Sequence, residues 1–97
     1  MQIRWSPASA EDLEQIFNYI RADNPAAAQR VAQTIYDRAD ALGADPYLGR
    51  RGRVEGTREL PLPPLPFIIV YRALELADAI ETVNVIHGAQ RWPPPTQ

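Results

Sequence analysis

The chain has 97 residues, of which 45% are hydrophobic and 23% charged, and its formal net charge is -2 at pH 7. This size fits one domain over residues 1–97, and no stretch approaches the ~18 apolar residues that a membrane-spanning helix needs. The absence of cysteine excludes disulfides and thiolate chemistry, and no basic and then apolar segment opens the chain, so we expect no signal peptide and a cytoplasmic location.

A short strand followed by a helix is predicted at the start of the chain. Ile3 and Trp5 alternate with polar residues, which is the period of a half-buried strand, and Trp5 is expected in the core. We expect the helix to begin near Ser9, which forms a capping-box pattern with Asp12. Acidic residues in this first turn suit the positive end of the helix dipole. The predicted core-facing stripe comprises Leu13, Ile16, Phe17 and Ile20.

A second helix follows after a tight link, which predicts an antiparallel helical hairpin. Asn24 can cap this helix, and Pro25 is favoured at the first helical position. Gly43 is predicted to end it. The predicted apolar face comprises Ala28, Val31, Ala32, Ile35, Ala39 and Leu42.

Residues 45–53 are predicted as an irregular loop that carries an arginine cluster. Gly49 and Gly52 should make this loop mobile. Guanidinium groups suit carboxylates and phosphates, so we interpret the cluster as a contact surface for an anionic partner. The alternative is a solvated loop in which Arg58 pairs with a neighbouring acid. The cluster comprises Arg50, Arg51, Arg53 and Arg58.

Three strands are predicted in the second half. The first covers about residues 56–62, where Pro61 restricts it to a sheet edge or ends it early, and the prolines that follow favour an extended, stiff connection. Residues 67–71 are continuously apolar or aromatic, which indicates a central strand covered on both faces, with the two helices as the available cover. The last strand runs to about His87, and residues 93–97 are expected to be flexible.

The predicted order is β-α-α-β-β-β. It describes an α+β fold in which the helical hairpin packs on a small, mainly antiparallel sheet.

Several motifs, in their order and spacing, resemble the RelE/ParE superfamily of bacterial type II toxins over nearly the whole chain. They are Asn24-Pro25, Pro46-Tyr47-Leu48-Gly49-Arg50, Gly56-Thr57-Arg58-Glu59-Leu60, Pro66-Phe67-Ile68-Ile69-Val70-Tyr71-Arg72 and Ile86-His87-Gly88-Ala89-Gln90-Arg91-Trp92-Pro93.

The resemblance implies the toxin of a toxin–antitoxin module, neutralised by a ParD-like or other DNA-binding antitoxin that wraps around it. ParE-like members inhibit DNA gyrase and serve plasmid stabilisation, whereas RelE-like members cut mRNA on the ribosome. We interpret the chain as ParE-like. The alternatives are a RelE-like nuclease and a degenerate member that binds antitoxin without being toxic. No cofactor, metal, membrane contact or sequence-specific nucleic-acid binding is expected.

The central strand separates the two branches. RelE-like nucleases place an arginine there to contact the scissile phosphate, and the aligned position here is Ile68. We therefore expect no catalytic residues. Under the nuclease alternative, the resemblance would assign catalysis to Arg58, Arg72 and His87.

The segment after the last strand offers further candidates. His87 suits acid–base chemistry, but a hydrogen bond to a backbone carbonyl, or packing on an aromatic such as Trp92, is the favoured interpretation. Arg91 and Trp92 complete the predicted target- or antitoxin-binding set.

Overall fold

The computed structural model describes residues 1–95, in which two helices pack on a five-stranded sheet. In chain order the elements are β1 (Gln2–Trp5), α1 (Pro7–Arg21), α2 (Pro25–Ala41), β2 (Arg50–Arg51), β3 (Arg58–Pro61), β4 (Phe67–Leu74), a short 3-10 helix (Glu75–Ala77) and β5 (Ala79–His87). The strand order is β1-β5-β4-β3-β2, with β1 parallel to β5 and the other pairs antiparallel. The predicted α+β class is confirmed, although the predicted order lacked β2.

The start of α1 differs from the prediction. Ser6, not Ser9, is the N-cap, and its side chain accepts a hydrogen bond from the backbone N–H of Ser9 at 3.0 Å. The Ser9 hydroxyl is buried 2.9 Å from the Thr82 hydroxyl, while an Asp12 carboxylate oxygen accepts from the backbone N–H of Val85 at 2.9 Å. The predicted capping-box residues therefore attach α1 to β5, and the first turn holds no acidic residue.

The second helix follows the prediction closely. The Asn24 side chain accepts from the backbone N–H of Ala27 at 3.1 Å, and Pro25 begins α2. The helix ends at Ala41, just before Gly43. The predicted face is buried or half-buried throughout, and its fully buried members are Ala28, Ile35, Ala39 and Leu42.

The two faces of the sheet are covered by different parts of the chain. We call the side that packs on α1 and α2 the helical face; its buried strand residues are Leu60, Ile69, Tyr71, Ile80 and Val85. The opposite side, the second face, carries Ile68, Val70 and Ile86, against which Trp92 packs. The prediction that the helices supply all the cover was wrong, because the chain after β5 folds back over the second face.

A β-bulge sets the inward-facing residues of β5. Val70 pairs with Asn84, but the next residue, Tyr71, pairs with Thr82, so β5 carries one extra residue at this point. The bulge resets the alternation of side chains. As a result, the side chains of Thr82 and Val85, three positions apart, both lie on the helical face.

Both proline- and glycine-rich connections are tighter than predicted. The Tyr71 hydroxyl accepts from the N–H of Gly49 at 2.9 Å, and a Cβ on this glycine would lie 2.8 Å from the tyrosine ring. Gly49 therefore permits close packing instead of mobility. Between β3 and β4, Leu62 donates to the carbonyl of Phe67 at 3.0 Å, which closes a hairpin where an extended connection was predicted.

The remaining expectations concern the edge strand and the tail. β3 is not an edge strand, because β2 pairs with Arg58 and Glu59 on its outer side, and Pro61 is its last residue. Residues 93–95 are exposed and lie outside any helix or strand, while positions 96 and 97 of the predicted flexible tail lie outside the described residues.

None of the helices within residues 1–95 is long and apolar enough to cross a membrane.

Candidate functional site

Two of the four clustered arginines are held by one buried carboxylate. Arg50 Nη2 lies 3.1 Å from Glu59 Oε1, and Arg53 Nη2 lies 3.0 Å from the same oxygen. The backbone N–H of Arg53 also donates to the second Glu59 oxygen, at 2.9 Å. The Glu59 side chain is only 1% exposed. The acid near this loop therefore pairs with Arg50 and Arg53, and the alternative in which Arg58 pairs with a neighbouring acid was wrong.

The arginines keep Glu59 ionised. Burial by itself would raise the pKa of this carboxyl, but the hydrogen bonds from the side chain and backbone of Arg53 and from Arg50 outweigh it. The pKa of Glu59 is lowered from 4.5 to about 2. Through Glu59, Arg50 ties β2 to β3 and Arg53 ties the segment after β2 to β3, and the single carboxylate offsets one of the two positive charges.

Arg51 and Arg58 lie on the other side of the same strands. They are cross-strand partners in the β2–β3 pair, and Arg58 is in turn the partner of Tyr71, whose side chain faces the helices. Arg58 Nη1 donates to the carbonyl of Gly49 at 2.8 Å, and its guanidinium carbon lies 4.8 Å from the centre of the Tyr47 ring. Neither arginine takes part in an ion pair within residues 1–95.

These two arginines border a polar pocket of about 580 Å³. We call it the arginine pocket; its lining residues are Tyr47, Arg51, Gly52, Arg53, Glu55, Gly56, Thr57, Arg58, Ala73 and Glu75.

The residues of the nuclease alternative do not converge. Arg58 pairs with Tyr71, and the exposed Arg72 follows it on β4, so their side chains point to opposite faces of the sheet. His87 pairs with Phe67, which is five residues before Arg72 and therefore ~16 Å along the strand. No group of His, Asp and Glu side chains in residues 1–95 is arranged to hold a metal ion.

His87 makes local contacts at the end of β5. Its Nδ1 accepts from the backbone N–H of Ala89 at 3.0 Å, and its ring lies edge-on to Phe67 with the centroids 5.8 Å apart. The local role matches the favoured prediction, but both predicted partners were wrong: the backbone group is an N–H, and the aromatic is Phe67 instead of Trp92.

The two candidates after β5 have different surroundings. Trp92 packs on the second face, and its Nε1 is buried without a hydrogen-bond partner within residues 1–95. Arg91 is exposed. The binding roles predicted for both residues stay predictions, and the contact that Trp92 makes here is internal.

An apolar groove beside α1 was missing from the sequence-based set. Of the four residues in the predicted core stripe, Leu13 is buried and Ile16, Phe17 and Ile20 are half-buried. Tyr19, next to them, is 82% exposed. The groove measures about 520 Å³ and is lined by Gln15, Ile16, Tyr19, Ile20, Pro66, Phe67 and His87. The sequence contained a signal for this groove: Tyr19 adds a further apolar side chain beside Ile16 and Ile20, which makes the apolar side of α1 wider than the predicted stripe.

Comparison with known proteins identifies the family. The family model described as the ParE toxin of the type II toxin-antitoxin system, parDE, matches residues 3–92. The candidate toxin Y4kP of Sinorhizobium fredii is 41% identical over 92 residues, which cover 95% of this chain and 93% of that protein. Toxin RelE2 of Caulobacter vibrioides is 33% identical over 89 residues, which cover 92% of this chain and 97% of that protein.

The fold agrees with this relationship. A chain of the chromosomal ParDE TA system from P. aeruginosa superposes with a TM-score of 0.79 and 26% identity, covering 90% of this chain and 95% of that one. The chain therefore belongs to the ParE toxin family of type II toxin–antitoxin systems.

Proposed function

We propose that this ParE-family toxin acts in the cytoplasm by binding and inhibiting DNA gyrase, without cutting RNA, and that a cognate antitoxin neutralises it. We also propose that residues 1–97 act as one domain. The observation that carries the proposal is the environment of Ile68.

Ile68 occupies the position at which RelE-like nucleases place a phosphate-binding arginine. It is 7% exposed and packs with Val70 and Ile86 in the apolar strip of the second face, to which Trp92 also packs. A phosphate brought here would meet apolar side chains and would lose its hydration without gaining a cation. This environment favours a surface that binds over one that cleaves.

The scattering of the alternative catalytic set also supports a binding function. RNA cleavage through the 2′-hydroxyl requires a base, a phosphate-stabilising cation and a proton donor within hydrogen-bond reach of one substrate. Arg58 and Arg72 project from opposite faces, and the His87 backbone lies ~16 Å along the sheet from Arg72. One scissile phosphate cannot contact all three.

The groove beside α1 supports neutralisation by an antitoxin. Ile16, Ile20 and Phe67 present apolar surface there, and Tyr19 extends it into solvent. An amphipathic helix or extended segment that inserts apolar side chains is the kind of ligand such a groove accepts. The expected occupant is the C-terminal segment of the antitoxin encoded beside the toxin gene.

Two assays on the same purified chain test the proposal. Inhibition of gyrase supercoiling, relieved by the neighbouring antitoxin, together with uncut mRNA in primer extension on translating ribosomes, would support it. Codon-phased cuts in the mRNA would establish the RelE-like activity and overturn it. Antitoxin binding with neither activity, and no growth defect on induction, would identify a non-toxic member.

A further inference from the structure

The four clustered arginines divide into two functional pairs. Arg50 and Arg53 are engaged by Glu59, although Arg53 also reaches the edge of the arginine pocket, whereas Arg51 and Arg58 line that pocket and take part in no ion pair within residues 1–95. We propose that Arg51 and Arg58 form a carboxylate-binding subsite for an acidic segment of the antitoxin. The proposal rests on the neutralisation proposed above and names the residues that carry its electrostatic part.

The first support is the uncompensated charge. Arg51 and Arg58 are directly opposite each other on adjacent strands, where like charges disfavour folding. The nearest acid in the sheet, Glu59, is directed to the other face and engaged there. A carboxylate placed between Arg51 and Arg58 would relieve this repulsion, so the bound state gains more than it would from a single exposed arginine.

The second support is preorganisation. The hydrogen bond to the Gly49 carbonyl and the Tyr47 ring hold the Arg58 guanidinium, leaving its other N–H groups available to a ligand. Gly49 is itself fixed by the hydroxyl of Tyr71, which is fully buried. Less side-chain entropy is then lost when a ligand binds. Arg51 is exposed and can close on the ligand from the strand edge.

The rest of the lining favours one carboxylate over a nucleic acid. Glu55 and Glu75 also line the pocket, and neither is in an ion pair within residues 1–95. A phosphate backbone would bring repeated negative charges past both acids. A single Asp or Glu side chain can instead sit between the arginines and avoid them.

The position of the pocket allows one partner to fill it and the groove together. Phe67 of the groove and Ala73 of the arginine pocket both pack on the helical side of β4. They are six residues apart, or ~20 Å. Ile69 and Tyr71, which lie between them, are buried beneath the helices, so an antitoxin segment that fills the groove and places an acidic residue in the pocket passes around the helices and needs more than about six extended residues.

The test compares two neighbouring arginines of β2 with the same charge change. The affinity of the antitoxin from the adjacent gene is measured by calorimetry for the wild type, Arg51→Gln and Arg50→Gln. Arg51→Gln should weaken binding about tenfold at low salt, and the difference should shrink near ~0.5 M salt. Arg50→Gln should keep the wild-type affinity and lower the melting temperature. Equal affinities for the two variants would overturn the proposal.

Two further measurements separate the possible ligands. Changing each antitoxin Asp and Glu in turn should reveal one position whose loss weakens binding to the wild type but not to Arg51→Gln. If Arg51→Gln instead loses binding to a fluorescent oligonucleotide and keeps its antitoxin affinity, the ligand is a phosphate and the proposal fails.

The proposal can fail independently of the proposed function. Gyrase inhibition relieved by the antitoxin, with the Arg51→Gln and Arg50→Gln affinities equal, removes only the subsite. Absence of any antitoxin binding by the wild type removes both.

Discussion

The helical face and the second face of the sheet are stabilised in different ways. The helical face buries a continuous apolar core in which Ile35, Leu42 and Ile69 are fully inaccessible to solvent. The second face has three buried apolar residues and depends on Trp92 for cover, beside the Glu59 ion cluster. The stability of the helical face should therefore depend little on pH but fall strongly when a buried side chain is shortened. The stability of the second face depends on the Trp92 ring and the Glu59 carboxylate.

The largest effect is expected in the helical core. Ile35→Ala should lower the free energy of unfolding by about 3–4 kcal/mol, because the residue is fully buried and its removal leaves a cavity. Urea denaturation measures the loss. Ile16→Ala, at a half-buried position that lines the open groove, is the matched control and should cost about 1 kcal/mol. Equal losses would show that the groove is closed in solution.

The next effect concerns Glu59. Glu59→Gln should cost about 2–3 kcal/mol at pH 7, because it removes a carboxylate hydrogen-bonded to two arginines. The folded-state pKa of Glu59, about 2, is below its ordinary value of 4.5, so the stabilisation is present above pH 4.5 and is lost as the pH falls towards 2.

Thermal melts across that pH window test the assignment. The wild type should lose stability relative to Glu59→Gln as the pH falls from 4.5 towards 2. Glu55→Gln, which changes an exposed acid outside any ion pair in residues 1–95, should follow the wild type. Parallel curves for the wild type and Glu59→Gln would contradict the role of Glu59.

A smaller effect is expected at Trp92. Trp92→Ala should cost about 2 kcal/mol, because the half-buried indole covers Ile68, Val70 and Ile86. Trp92→Phe should cost less than about 1 kcal/mol, since the buried Nε1 has no hydrogen-bond partner within residues 1–95 to lose. Melting temperatures distinguish the two variants. A phenylalanine as harmful as alanine would mean that the ring does more than cover the strip.

The smallest effect is expected at His87. His87→Ala should leave growth inhibition largely intact, because the hydrogen bond and the ring contact of its side chain, to Ala89 and Phe67, are local to a strand end and far from Arg72. Toxicity on induction and the melting curve are measured together. Complete loss of toxicity with an unchanged melting curve would restore the catalytic interpretation.

Much of the fold could be predicted because local periodicity encodes burial. The apolar spacing of α2 and the uninterrupted run in β4 identified a helix face and a central strand, and both are buried in the structure. The first turn of α1 was misassigned because Ser9 and Asp12 satisfy a local capping pattern while their actual partners, on β5, are more than 70 residues away.

The candidate site was predictable only in composition. The sequence identified the four arginines and the isoleucine at position 68. It could not predict that Arg50 pairs with Glu59 whereas Arg51 lies opposite Arg58. That distinction depends on the register between β2 and β3 and on the alternation of side chains between the two faces of the sheet.

By itself the sequence determined the helical hairpin and the buried central strand, since both follow from residue type and short-range spacing. Only the tertiary structure decided which arginines Glu59 compensates, how the bulge orients β5 and that part of the α1 stripe stays open as a groove. These features depend on strand register and on what lies opposite, and adjacent residues of the chain do not encode them.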